Sequence, residues 1–350
     1  MAHERTDPAP SPAPADATAT TMQALVHDRY GPPETLHLAN VPKPAAGPGE
    51  VLVRVHAASL NPRDWHLMRG EPRLARLLDR RTFARTAPRE PIRGTDFAGV
   101  VEAVGAGVTR CRPGDAVFGE APGAIAHLVA APEQQVATMP PGLPFPQAAA
   151  LPLAANTALT CLNAAEPTRG QTILINGASG GVGTFLVQLA AEGGMHTTAV
   201  CSAANAETVR ALGAGKVIDY NRQDFAKSGE KYDVLVDLVG NRTLRDLSRA
   251  VRRDGTLVLS GGGVSGQGRY VGPLGMLLRA HLSRPALRFR LRSPLAEPDA
   301  EAFDQLRDLV RSRVLEPVVD RVYALEDAAR AFAYLETAHA RGKVVIAVTP

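Results

Sequence analysis

What this chain lacks narrows it first. It has three cysteines in 350 residues, Cys111, Cys161 and Cys201, far apart and with no C-x-x-C pair. An odd, scattered count excludes a disulfide framework and fits a reducing compartment. No run approaches the roughly 18–20 apolar residues that cross a bilayer. No sign of charge dominates: 39 Lys and Arg stand against 35 Asp and Glu, for a net charge of +4. The pI near 9.1 therefore describes a mixed, solvated surface, and nucleic-acid binding is not expected. The first residues lack the apolar core of a secretory signal, and Glu4, Asp7 and Asp16 are out of place in a mitochondrial presequence. Residues 1–21, rich in Ala, Pro and Thr, read as a disordered tail, and the expected location is cytoplasmic.

What is present reads as two halves. The first has short strand-like runs, Gln23–His27, Leu36–Asn40, Val51–Ala58, Asp96–Val104 and Ala116–Gly119, separated by Gly/Pro turns. Such punctuation suggests a compact, barrel-like β domain. From Pro146 to Ala164 the apolar spacing predicts a helix. A β-α alternation follows, with strands at Thr172–Asn176, Thr197–Ser202, Val217–Tyr220, Asp233–Val239 and Thr256–Ser260. Helices are expected between them at Val182–Glu192, Ala206–Leu212 and Arg242–Val251. Strands that are apolar throughout, alternating with helices, predict an α/β fold with a parallel sheet covered on both faces. The chain end returns to strand at Val318–Val322 and Val344–Val348, around a helix at Leu325–Ala338. Two basic stretches stand apart. Arg73 to Arg89 reads as a solvated loop with one short helix, or as a dock for an anion. Leu274 to Arg292 reads as a helical lid or as a surface helix and loop.

The chemistry concentrates after Asn176. The strand Thr172–Asn176 runs into Gly177-Ala178-Ser179-Gly180-Gly181-Val182-Gly183 and then a helix. Small residues there allow a tight turn, close approach of a pyrophosphate and close helix–strand packing. Free N–H groups at the helix start, with its dipole, hold the phosphates. The strict G-x-G-x-x-G form is missed, since Ala178 stands at its first position. The next strand ends Val200-Cys201-Ser202-Ala203-Ala204-Asn205, with no acid to repel a 2′-phosphate. Ser202 and Asn205 can donate to one, and Tyr220 can add its hydroxyl, so NADPH is expected over NADH.

Several motifs, in order, resemble the medium-chain dehydrogenase/reductase superfamily. They are Asn61-Pro62-Arg63-Asp64-Trp65, Gly94-Thr95-Asp96-Phe97-Ala98-Gly99-Val100-Val101, Gly105-Ala106-Gly107-Val108, Pro113-Gly114-Asp115-Ala116-Val117-Phe118-Gly119, the cofactor loop, and Gly342-Lys343-Val344-Val345. The set looks most like the zinc-independent quinone oxidoreductase, or zeta-crystallin, branch. The resemblance implies a GroES-like β-barrel catalytic domain over 22–147, completed by 294–350, and a Rossmann doubly wound domain over 148–293. It implies cofactor contacts from Asn61, Thr157, Ser179, Gly180, Gly181, Val182, Ser202, Tyr220, Gly240, Ser260, Gly261 and Lys343. It also suggests a homodimer paired along an edge strand near Thr256–Ser260.

Zinc is not expected. Asn61 stands where zinc alcohol dehydrogenases of this superfamily place a Cys, and Thr95 where they place a His. The four-Cys structural lobe is missing too. Without a Lewis acid, hydride transfer to an electrophilic acceptor, a quinone, enone or other conjugated carbonyl, is the easier chemistry. Asn61, Asp64 and Trp65 are the catalytic candidates, with His56 and His66 near the same segment. The alternatives are an enoyl-thioester reductase and an NADPH-binding redox sensor with little turnover.

Overall fold

The computed structural model describes residues 20–349, apart from 75, 77–78, 80–82, 85–87 and 262–286. The expected tail therefore lies outside the described residues up to 19, as do Arg80, Arg81, Arg85, Arg279 and Arg284.

In chain order the first half supplies β1 (Thr21–Val26), β2 (His37–Pro42), β3 (Glu50–Leu60), α1 (Pro62–Arg69), β4 (Asp96–Val104), β5 (Ala116–Glu120), β6 (Leu128–Pro132) and β7 (Val136–Thr138). Two helices follow, α2 (Phe145–Ala149) and α3 (Pro152–Ala165). Then come β8 (Thr172–Asn176), α4 (Gly181–Glu192), β9 (His196–Cys201), α5 (Ala206–Ala211), β10 (Lys216–Asp219), β11 (Tyr232–Asp237), α6 (Leu244–Ala250), β12 (Val251–Leu259) and β13 (Arg290–Arg292). The chain closes with α7 (Ala300–Arg311), β14 (Val319–Ala324), α8 (Ala328–Glu336) and β15 (Lys343–Ala347).

β1 and β2 form an antiparallel ribbon, and two larger sheets carry the rest. The seven-stranded sheet runs β14-β15-β3-β4-β5-β7, with β6 on β3, so the chain end returns to complete the sheet begun by its first half. The six-stranded sheet runs β10-β9-β8-β11-β12-β13 and is parallel throughout. Its central strands read Thr-Ile-Leu-Ile-Asn and Tyr-Asp-Val-Leu-Val-Asp, apolar on both faces because helices cover both. One buried cluster joins the sheets: Ala57, Ala98 and Phe118 of one pack with Ile173 and Ile175 of the other, through Ala154 and Ala158 of α3 and Phe303 and Leu306 of α7.

Four differences from the sequence reading have physical causes. The helix expected over Pro146–Ala164 is two helices, because Pro152 has no N–H to continue one and instead opens α3 in its first turn. The stretch read as a lid ends in strand β13, where buried Leu291 alternates with two arginines, a period of two rather than 3.6. β13 covers β12, so Thr256–Ser260 is not an edge, and the dimer pairing expected there is blocked. Arg76, in the other basic stretch, lies over the Tyr30 ring at 4.1 Å and donates to the carbonyls of Gly70 and Arg69.

Candidate active site

The loop after β8 is built on two glycines. Gly177 has φ +89°, which lets the chain turn sharply out of the sheet. A Cβ on Gly183 would lie 2.2 Å from the Gly177 carbonyl oxygen, so only hydrogen permits α4 to pack this close to the turn. The turn-forming residue is thus Gly177, one place before the Ala178 that spoiled the strict motif. α4 starts at N-cap Gly180 with no side chain capping its first turn. Its leading N–H groups, around Gly181 and Val182, are the kind of orphan donors that receive an anion.

The chain end closes on this loop. Gly342 N–H donates to the Ser179 carbonyl at 2.8 Å, and Gly180 bridges to Gly342. A Cβ on Gly181 would meet Lys343 Cδ at 2.8 Å, so the Lys343 stem lies along the turn. Its ammonium donates to the Leu60 carbonyl at 3.0 Å, to Asn61 Oδ1, and to Asp96 Oδ2 at 3.4 Å. All three hydrogens have protein acceptors, so Lys343 offers a ligand its stem and backbone, not its charge. Ser59 Oγ also donates to Asp96 Oδ2 at 3.1 Å. The other end of the Asn61 amide, Nδ2, is buried with no partner among the described residues. An unmet buried donor carries a desolvation cost that a ligand acceptor would remove.

Two catalytic candidates have structural partners. Trp65 is buried in the core of the seven-stranded sheet with Met68 and Phe97, because α1 turns its apolar face inward. Asp64, 1% exposed, spends its carboxylate on its own helix: Oδ2 accepts the Asn61 N–H at 2.7 Å, the reciprocal bond of a helix-capping box. Burial pushes the Asp64 carboxyl up to about 6 despite that bond. His66 stacks on Trp65 at 3.7 Å and His56 on Phe145 at 4.3 Å, away from any shared cluster.

The other named positions fall into two groups. Ser179, Ser202, Asn205 and Tyr220 gather beyond β9 and β10: Asn205 Nδ2 donates to Ser179 Oγ at 3.1 Å, and the Tyr220 N–H to the Cys201 carbonyl at 3.2 Å. The Tyr220 ring stands half exposed over this corner. Gly240, Ser260 and Gly261 gather at the ends of β11 and β12, where a Cβ on Gly261 would lie 2.6 Å from Gly240 N. Ser260 also hydrogen-bonds Cys161 of α3, and Thr157 sits one turn earlier on that helix face.

Asn176 and Asp237 were missed. Asn176 Nδ2 donates to Asp237 Oδ1 at 2.8 Å, and the same oxygen accepts the N–H groups of Val239 and Gly240 at 3.2 and 3.1 Å. This knot fixes the Val239–Gly240 turn beside the glycine loop. The signal was a polar residue closing each of two strands with apolar centres. Asp96 was quoted in its motif but given no role.

Comparison with known proteins now has a geometry to rest on. Residues 47–141 match the family described as alcohol dehydrogenase GroES-like domain, and residues 212–346 the one described as zinc-binding dehydrogenase. The chain is 32% identical to 2-methylene-furan-3-one reductase of Solanum lycopersicum, over 94% of this chain and 80% of that protein. The same identity and coverage, 32%, 94% and 80%, hold for the chloroplastic NADPH-dependent alkenal/one oxidoreductase of Arabidopsis thaliana. The solved quinone oxidoreductase of Coxiella burnetii superposes with a TM-score of 0.82 at 31% identity, covering 94% of this chain and 100% of that one. The chain belongs to the medium-chain dehydrogenase/reductase superfamily. Its two sheets are that superfamily's GroES-like and Rossmann parts. The zinc-binding description covers a stretch in which no described residues form a group of three or more His, Cys, Asp or Glu able to hold a metal.

Proposed function

We propose that the chain reduces enones, quinones and related conjugated carbonyls with NADPH, without zinc. The single observation that carries this is the glycine turn with its uncapped helix start, closed by Gly342 and Lys343 and flanked by the unmet amide of Asn61. The relatives named for alkenal/one, furanone and quinone reduction support the acceptor class.

The residues present fit the nucleotide. Ser179, Gly180, Gly181 and Val182 would hold the pyrophosphate on backbone N–H groups at the α4 start. Ser202, Asn205 and Tyr220 would hold the 2′-phosphate at a corner whose strand ends in Cys201 and not in an acid. Gly240, Ser260, Gly261 and Thr157 would line the nicotinamide end. Bound there, the nucleotide supplies a hydride.

The protein's own part is polarisation and position. Lys343 draws charge from Asn61 Oδ1, which makes the opposite N–H a stronger donor. That donor meets the oxygen on which negative charge develops as hydride arrives. The donor set argues against zinc: the positions of an alcohol dehydrogenase's thiolate and imidazole hold an amide already bonded to an ammonium, and a hydroxyl. Asp96 is bonded to that same ammonium. We place the protein in the cytoplasm, its three cysteines all buried and unpaired as a reducing compartment permits, and as a homodimer paired along β13, the edge strand of the six-stranded sheet, in place of β12.

NADPH oxidation against a panel of enones, quinones and enoyl thioesters tests the reading. Turnover of enones and quinones is expected. Turnover of enoyl thioesters alone would move the assignment to an enoyl reductase, and tight NADPH binding with no turnover would make the chain a sensor.

A further inference from the structure

Among the described residues, one carboxyl group beside the site has no hydrogen-bond or ion-pair partner. Ser59, Asp96 and Glu120 are consecutive cross-strand partners on β3, β4 and β5, so their side chains share one face of the sheet. Ser59 and Asp96 are fully buried, and Glu120 is 7% exposed. Asp96 has the Lys343 ammonium and the Ser59 hydroxyl, and Asp64 has the Asn61 N–H. Among the described residues the Glu120 carboxyl has no hydrogen bond and no ion pair within 4 Å. A buried acid so placed is neutralised by its own proton. Burial and then the neighbouring Asp96 charge push the Glu120 carboxyl up to about 8, against the pull of Arg63 and Lys343, with Asp64 adding to the push. On the far side of Asp96, the Thr95 hydroxyl lies 3.5 Å from Oδ1, and Thr95 is 8% exposed.

The geometry points to Glu120 as the proton reservoir of this site, acting through Asp96 and Thr95 on the acceptor after hydride transfer. The inference rests on the enone and quinone reading. The step balances as follows. A hydride, with its two electrons, forms a C–H or O–H bond on the acceptor and leaves an enolate or quinol anion. Glu120 gives its proton to the Asp96 carboxylate, Asp96 passes one to Thr95 Oγ as Thr95 gives its own to that anion, and Asp96 is left ionised as it began. Water reprotonates Glu120 through its narrow exposed edge. The charged groups facing Glu120 are Asp96 from β4, Lys343 from β15, and Arg63 and Asp64 from α1.

The test is enone turnover by the full chain as a function of pH, in wild type and in Glu120→Gln. In wild type, kcat should hold to about pH 8 and then fall about tenfold per unit as the reservoir empties. In Glu120→Gln that limb should disappear and kcat near neutrality should drop at least about tenfold, with NADPH affinity unchanged by fluorescence titration. Quinone turnover should fall less, because a quinol anion takes its proton from water without help. Full enone turnover by Glu120→Gln, or the same alkaline limb in it, overturns the proposal. If that variant does not fold, Thr95→Val interrupts the same relay, and undiminished enone turnover there is equally fatal. A wild type inert on the whole acceptor panel is a different result: it removes the enone and quinone reading itself, and the reservoir with it.

Discussion

At Asn61 the two ends of one amide have different fates. Oδ1 is held by Lys343, while Nδ2 is buried and unmet. Asn61→Asp keeps the acceptor for Lys343 and replaces the donor with an acceptor. Removing one such donor costs oxyanion-stabilising enzymes about 100- to 1000-fold in kcat. A kcat loss of that order is expected, with the melting temperature within a few degrees of wild type. An Asn61→Asp enzyme that turns over normally would remove the amide from the chemistry. Ser202 allows a second test at this scale. Ser202→Asp places a carboxylate where the 2′-phosphate is proposed to sit, and like charges at this range cost about 1–3 kcal/mol, or roughly 10- to 100-fold in affinity. NADPH binding should weaken by that factor while NADH binding holds or improves. Equal weakening of both nucleotides would mean the 2′-phosphate sits elsewhere.

At the scale of elements, helix ends are where the sequence was under-read. α7 begins at Asp299, whose carboxylate accepts the Ala302 N–H at 2.8 Å. Its Phe303 and Leu306 fall three apart on the buried face. Both signals stand in the sequence, yet no helix was expected here, and 294–350 entered only as the completion of the first domain. α1 has the same grammar: Asn61 at the N-cap, Pro62 in the first turn, Gly70 at the C-cap with φ +60°. Its residues were weighed as cleft groups or as structural ones, and the cap bond of Asp64 and the core packing of Trp65 favour the structural side. The parallel strands were legible because each is a short apolar run closed by a turn. β13 was not, because three residues with two arginines carry little hydrophobic signal. The cofactor loop was legible because its small residues answer a local steric demand. The Asn176–Asp237 knot and the Glu120 row were not, because their partners are 61 residues apart in the chain or meet only across strands. Asp299→Ala tests the cap directly. It should destabilise the protein by about 1 kcal/mol in denaturant unfolding and leave NADPH affinity alone, since the Asp299 cap is exposed and none of the proposed nucleotide contacts lies on α7. A neutral result would mean that water replaces the cap without loss.

Over the whole molecule, buried ionisable groups oppose one another in their response to pH. His27 is fully buried with both ring nitrogens unmet among the described residues, and burial, reinforced by Arg93, pushes its imidazole down from 6.5 to about 4. The unfolded chain therefore binds that proton more readily than the folded one. Stability from His27 is complete above pH 6.5 and is lost as pH falls toward 4. Glu120 and Asp64 work the other way. Their folded-state values, about 8 and about 6, lie above the ordinary 4.5 and 3.8, so the folded protein keeps protons that the unfolded chain releases. As pH falls through 8, and then through 6, each penalty is relieved. The melting temperature should therefore rise as pH drops below about 8, pause between about 6.5 and 6 where the charging of His27 offsets Glu120, and rise again below 6 as Asp64 joins. His27→Leu removes only the opposing group. In that variant the rise should continue to about pH 5, so the two melting curves, measured by calorimetry across this range, separate below pH 6.5 and run parallel above it. Curves that stay parallel throughout would mean that the imidazole finds a proton acceptor in solution, and that the acid limb of this protein belongs to its surface carboxylates.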